Sequence, residues 1–105
     1  MIIKPILNKV MEHLENEYGV NTFTQSGLRL AYVVYEAYIT SDRPIRMSSE
    51  LINIAYENLG DNSTYSAFER SVYRELKNIN EKEKNLNILQ TIYNIAKGIK
   101  LWVKS

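Results

Sequence analysis

At 105 residues, with 45% hydrophobic and 24% charged residues, the chain can build one hydrophobic core and is too short for two comfortable ones. The absence of cysteine excludes disulfides, thiolate catalysis and zinc–thiolate sites. A net charge of +1 excludes a uniformly basic nucleic-acid binder, so any surface of that kind has to be local.

A first helix is predicted from Lys4 to Tyr18. Pro5 suits a first turn, and Ile6, Leu7, Val10, Met11, Leu14 and Tyr18 form its inner stripe. Gly19 ends it, and the outer face carries Glu12, His13, Glu15 and Glu17. His13 and Glu17 stand four apart, but two exposed ligands without a third predict a solvated face and no metal. A second helix starts at Thr24 as N-cap and runs to about Ile39. Leu28, Ala31, Val34, Tyr35, Tyr38 and Ile39 crowd its inner side. Tyr32, Tyr35 and Tyr38 read as core aromatics whose phenol tips reach water. Arg29 and Glu36 interrupt this most apolar stretch, which is too short to span a bilayer. The N-terminus also lacks the apolar run of a secretory leader, so a cytoplasmic protein without membrane contact is expected. Pro44 makes 40–44 a loop, with Arg43 and Arg46 placed to touch phosphate or water.

From Ser48 to Asn78 the spacing predicts two helices joined by a polar corner. Ser48 is read as N-cap and Glu50 as favourable to the helix dipole, with Leu51, Ile52, Ile54, Ala55 and Leu59 on the apolar side. Gly60 is the left-handed stop. Asp61 to Thr64 form the corner, and Ser63 or Thr64 caps the next helix. That helix, about 64–78, places Tyr65, Phe68, Val72, Leu76 and Ile79 behind and Ser66, Arg70, Arg74 and Lys77 in front. A short corner followed by a helix apolar behind and basic in front is the pattern of a helix-turn-helix, here at about 48–78.

The polar run that follows, to about Asn85, reads as an exposed connection. From Leu86, the positions Leu89, Ile92, Tyr93, Ala96 and Ile99 rebuild a helical stripe. Leu101, Trp102 and Val103 then crowd the end beside Lys97, Lys100 and Lys104. This is more apolar surface than a short helix face can bury, and a homodimer through the C-terminal helix is the expected use of it. Nothing alternates with strand period. The expectation is a single all-α domain over 1–105 with five or six helices. One histidine, no glycine-rich phosphate loop and scattered carboxylates give no catalytic set, so neither an enzyme nor a cofactor is expected.

The segment NSTYSAFERSVYREL resembles the recognition-helix region of the C-terminal effector domain of the stage-zero sporulation response regulator. Asn62, Ser63, Thr64, Ser66, Glu69, Arg70 and Val72 match the family's run, and Tyr18-Gly19-Val20, Leu28, Leu30 and Ile54-Ala55 fall in register upstream. The likeness covers about Leu14 to Asn78. It implies a DNA-binding transcriptional regulator in sporulation, here as an effector domain without a receiver. The helix at about 64–78 would enter the major groove of double-stranded DNA. Its implied contacts are Ser63, Thr64 and Ser66 on phosphate, Arg70 and Arg74 on base or phosphate, and Glu69, Tyr73 and Lys77 beside them. Family analogy adds an RNA polymerase sigma factor as a partner. Ala67 and Tyr73 stand where the family carries basic residues. With the near-zero net charge they point to an alternative: a helical protein–protein adaptor or anti-regulator that keeps the fold without the DNA.

Overall fold

The computed structural model describes the backbone of residues 3–40, 47–83 and 87–104, and the side chains of 6–40, 47–80 and 87–99. Five helices follow one another: α1 (Ile3–Tyr18), α2 (Gln25–Ile39), α3 (Ser48–Leu59), α4 (Tyr65–Glu83) and α5 (Ile88–Lys104). There is no strand among the described residues, and none of these helices is long and apolar enough to cross a membrane. The fold is all-α, as the three-and-four spacing predicts.

The helix ends follow from local chemistry. Gly19 and Gly60 stop α1 and α3 at φ of 68° and 63°, a left-handed conformation that glycine adopts without a Cβ clash. Thr24 caps α2, its hydroxyl accepting from the Gly27 N–H at 3.1 Å. At α4 the cap is Thr64, which accepts from the Ala67 N–H at 3.2 Å. Two boundaries depart from expectation. Ser48 is not the cap of α3: Met47 holds that place, and its N–H donates to Glu50 Oε1 at 3.2 Å. A carboxylate three residues on satisfies the end from the other side, so no hydroxyl is required. The polar run after Ile79 does not break α4 either, since Asn80 to Glu83 continue it. Glu and Lys are good helix formers, and propensity carries a helix on where the apolar stripe ends. Asn87 then caps α5, accepting from the Gln90 N–H at 2.7 Å. The expected loop at 41–44, with Arg43, and also Arg46 and Leu86, lies outside the described residues. So do the side chains of Lys100, Leu101, Trp102, Val103 and Lys104, and with them most of the surface expected to dimerise, the segment from Ile95 to Val103; its described members Ile95 and Ile99 are buried in the core.

Helix α2 is the hub. It packs against α1, α3, α4 and α5, and Leu30, Ala31, Val33, Val34 and Ala37 are fully buried around its circumference. The expected inner side is corrected in both directions: Leu30, Val33 and Ala37 are buried as well, while Leu28 is only half-buried and Ile39 is exposed. Its charged positions Arg29 and Glu36 are buried as well. Leu7, Val10 and Leu14 of α1, Leu51, Ile52 and Ala55 of α3, and Ile92, Ile95 and Ile99 of α5 complete the core. On α4 the predicted stripe is the observed one, with Phe68, Val72, Leu76 and Ile79 buried and Tyr65 partly so. The Phe68 ring meets Tyr56 edge to face at 5.4 Å between centroids. Phe68→Ala is expected to cost about 3–5 kcal/mol, the usual loss for a buried ring. A urea midpoint within error of the parent's would contradict that placement.

His13 does not lie on a solvated face. It sits half-buried against α5, where a Cβ added to Gly98 would come within 2.8 Å of its Nε2. That nitrogen is buried without a hydrogen-bond partner. Burial lowers the His13 pKa below its ordinary 6.5, against the opposing pull of Glu17. The unfolded chain therefore takes up the proton first. Stability should be complete above pH 6.5 and fall as pH drops through and below that value. Between about pH 7.5 and about pH 5.5, His13→Leu is expected to lose less stability than the parent, read from paired denaturant curves.

Candidate nucleic-acid interface

The corner between α3 and α4 is held by a buried cation. Arg29 of α2 donates from Nε to Asp61 Oδ2 at 2.9 Å and from Nη1 to Ser71 Oγ at 2.6 Å. Ser71 in turn donates to the Ala67 carbonyl at 3.0 Å. The guanidinium carbon also lies 5.7 Å from the Phe68 ring centre, within cation–π range. One side chain thus joins α2, the corner and two turns of α4. Burial alone would raise the Asp61 carboxyl, but hydrogen bonds from Ser63 and Arg29, with the charge of Arg29, hold it below the usual carboxylate range.

Ser63 belongs to the same structure. Its N–H donates to Asp61 Oδ1 at 3.1 Å, and its hydroxyl donates to the same oxygen. Its carbonyl accepts from the Tyr56 hydroxyl at 2.9 Å. A serine has one hydroxyl proton, and here Asp61 takes it, so Ser63 shapes the corner and has no side-chain proton left for a phosphate. Thr64 differs. Its oxygen accepts from the Ala67 N–H while its own proton remains available, and the residue is exposed.

Along α4, Ser66, Arg70, Arg74 and Lys77 are all exposed and fall at steps of four, four and three, which places them on one ridge. Among the described residues the salt bridge is Arg29–Asp61, and no described carboxylate sits within bridging distance of Arg70, Arg74 or Lys77. The other two expected contacts stand aside from the ridge. Glu69 is half-buried next to Tyr65, whose pKa is raised by burial and then by the Glu69 charge. Tyr73 is half-buried, with its hydroxyl 3.4 Å from Ser48 Oγ of α3. Of the eight residues singled out by sequence, the structure brings Thr64, Ser66, Arg70, Arg74 and Lys77 to water, engages Ser63 with Asp61 in the corner, sets Glu69 beside Tyr65 and turns Tyr73 toward α3.

On the other flank, Ser26 of α2 donates to Glu75 Oε2 at 2.7 Å. Beside this clasp an open cleft of about 560 Å³ runs between α4 and the α1–α2 turn, lined by Asn21, Thr24, Ser26, Glu75 and Asn78 among others. Arg29, Asp61 and Asn78 are visible in the sequence only as an interruption, a corner residue and a helix end, and Ser26 carries no signal there. Arg29 carried a signal all the same: its helix is apolar on every side, so a charge within it needs a buried partner. Among the described residues no three His, Asp or Glu side chains gather as metal ligands.

Comparison with family models, with curated proteins and with solved structures finds no match.

Asp61→Ala is expected to destabilise the fold by about 3–5 kcal/mol, because it strands a buried guanidinium. The double change with Arg29→Met should recover most of that loss. Equal losses in the single and double variants, measured by chemical denaturation, would show that Arg29 does not depend on its partner.

Proposed function

We propose that the chain is a DNA-binding transcriptional regulator that lays α4 in the major groove, in the manner of the sporulation effector domain it resembles. The observation that carries this reading is the ridge of Arg70, Arg74 and Lys77: exposed cations that no described carboxylate bridges, on a helix packed from behind and preceded by a braced corner. Thr64 and Ser66 add hydroxyls at the N-terminal end of α4, where backbone N–H groups and the helix dipole favour phosphate. Arg70 and Arg74 suit base edges or phosphate through the planar guanidinium fork, and Lys77 serves as a point charge for the backbone. Glu69 and Tyr73 act as flanking residues in this scheme.

The same reading makes the protein cytoplasmic and non-catalytic, working on double-stranded DNA, as a homodimer through its C-terminal helix and in contact with a sigma factor. A second reading has its own observation. Tyr73 stands where the family it resembles is basic, and it leans on Ser48 of α3 instead of facing water. With the net charge of +1, this favours a protein–protein adaptor that keeps the fold without the DNA.

Fluorescence anisotropy with a mixed-sequence duplex separates the two. Three ridge cations predict a salt slope of about −3 for log K against log salt, at roughly −0.9 per phosphate neutralised. Arg70→Ala is expected to cost about 1–3 kcal/mol of binding, whereas Lys77→Ala should mainly flatten the salt dependence. No anisotropy change at low salt would leave the adaptor reading in its place.

A further inference from the structure

Phe23 is 88% exposed, the most exposed large hydrophobic side chain among the described residues. The turn that carries it is rigid. Asn21 Oδ1 accepts from the Phe23 N–H at 3.0 Å. The Asn21 carbonyl accepts from the Thr24 N–H at 3.2 Å and the Thr24 hydroxyl at 2.7 Å. Gly27 packs so closely that a Cβ there would stand 2.0 Å from the Asn21 oxygen. The ring is therefore carried into water by a braced backbone, so the turn itself needs no ordering when a partner arrives.

Its position relates it to α4. The Ser26–Glu75 hydrogen bond ties the first turn of α2 to α4, and Asn21 and Thr24 share the cleft with Asn78. Asn78 is exposed and lies about 40° around the helix axis from Arg74, at roughly 100° per residue. The α1–α2 turn is thus the ridge adjacent to the row of cations. We propose that the DNA-facing surface continues from α4 onto this turn, with Phe23 as an apolar contact to the duplex. This rests on the reading of α4 as a groove-binding helix.

A duplex suits the ring better than a protein does. The major groove is only about 12 Å wide, so an element packed beside a helix in that groove lies over the flanking sugar–phosphate backbone. There a lone aromatic can meet a deoxyribose face or wedge against a base step, as apolar side chains do in duplex binders. A protein hot spot sits instead within a packed, water-excluding surround, whereas Asn21, Thr24 and Gln25 around Phe23 are polar and exposed.

The test is anisotropy over a salt series with one mixed-sequence duplex, comparing the parent, Phe23→Ala, Phe23→Trp and Arg70→Ala. Phe23→Ala is expected to weaken binding several-fold at fixed salt, with the salt slope unchanged because an apolar contact releases no counterions. Phe23→Trp should keep parental affinity, and the melting temperature of Phe23→Ala should equal the parent's. Parental affinity in Phe23→Ala alongside weakened binding by Arg70→Ala would overturn this inference and leave α4's role standing. A parent that binds no duplex removes both. An earlier melt or a reduced salt slope in Phe23→Ala also refutes the contact, by making the ring structural or its effect electrostatic.

Discussion

The Arg29 guanidinium is the constraint on which the α3–α4 arrangement depends. A buried cation is costly unless its donors find acceptors, and the carbonyls of α2 serve its own helix. The partners come from Asp61 in the corner and Ser71 on α4. That requirement fixes where the corner sits and how far α4 is rotated about its axis. With Ser71 turned toward Arg29, Phe68 and Val72 are directed to the core, and Arg70 and Arg74 can only face water. The cation row of α4 is thus set by a different cation that is never exposed.

The corner itself is a consequence of this arrangement. Asp61 takes two hydrogen bonds from Ser63 and one from Arg29, and the Tyr56 hydroxyl closes the other side on the Ser63 carbonyl. A polar segment that could wander is pinned at both ends, after the left-handed Gly60 and before the Thr64 cap. In a groove-binding helix, small errors of tilt misplace every side chain that reads the duplex, so a braced entry has functional value. In an adaptor the same bracing would be equally stabilising, which is why the ridge chemistry and not the corner distinguishes the two readings.

Helices and their inner faces were legible because burial obeys the 3.6-residue period. Phe68, Val72, Leu76 and Ile79 lie where spacing alone puts them, as do Leu7, Val10 and Leu14. What escaped was set by contacts between elements. His13 shares the polar composition of its neighbours, yet Gly98 offers a gap on α5 that only tertiary packing reveals. Ser48 looked like a better cap than Met47, but Glu50 satisfies the end from inside the helix. The extension of α4 past Ile79 follows from propensity where periodicity falls silent. For the candidate site, the ridge was readable from Ser66, Arg70, Arg74 and Lys77. That Ser63 is occupied by Asp61, and that Glu69 and Tyr73 lie aside, depended on neighbours distant in sequence or on rotamers.

The near-zero net charge bears less on the proposed surface than it first suggests. At physiological salt a charge is screened over about 8 Å, while the molecule measures 38 × 36 × 29 Å. Glu12 and Glu17 are exposed on α1, whose principal packing is against α2 and α5. A ligand approaching the ridge responds mainly to what lies within one or two screening lengths of it. The described carboxylates of α4 are both turned away: Glu75 is drawn to Ser26 of α2, and Glu69 is half-buried beside Tyr65. Both are displaced to a flank of the helix, so these two acids leave the centre of the ridge to Arg70, Arg74 and Lys77. The quantity that matters for an anionic partner is this local field, and a chain of +1 overall can present a cationic helix when its acids are held by other contacts.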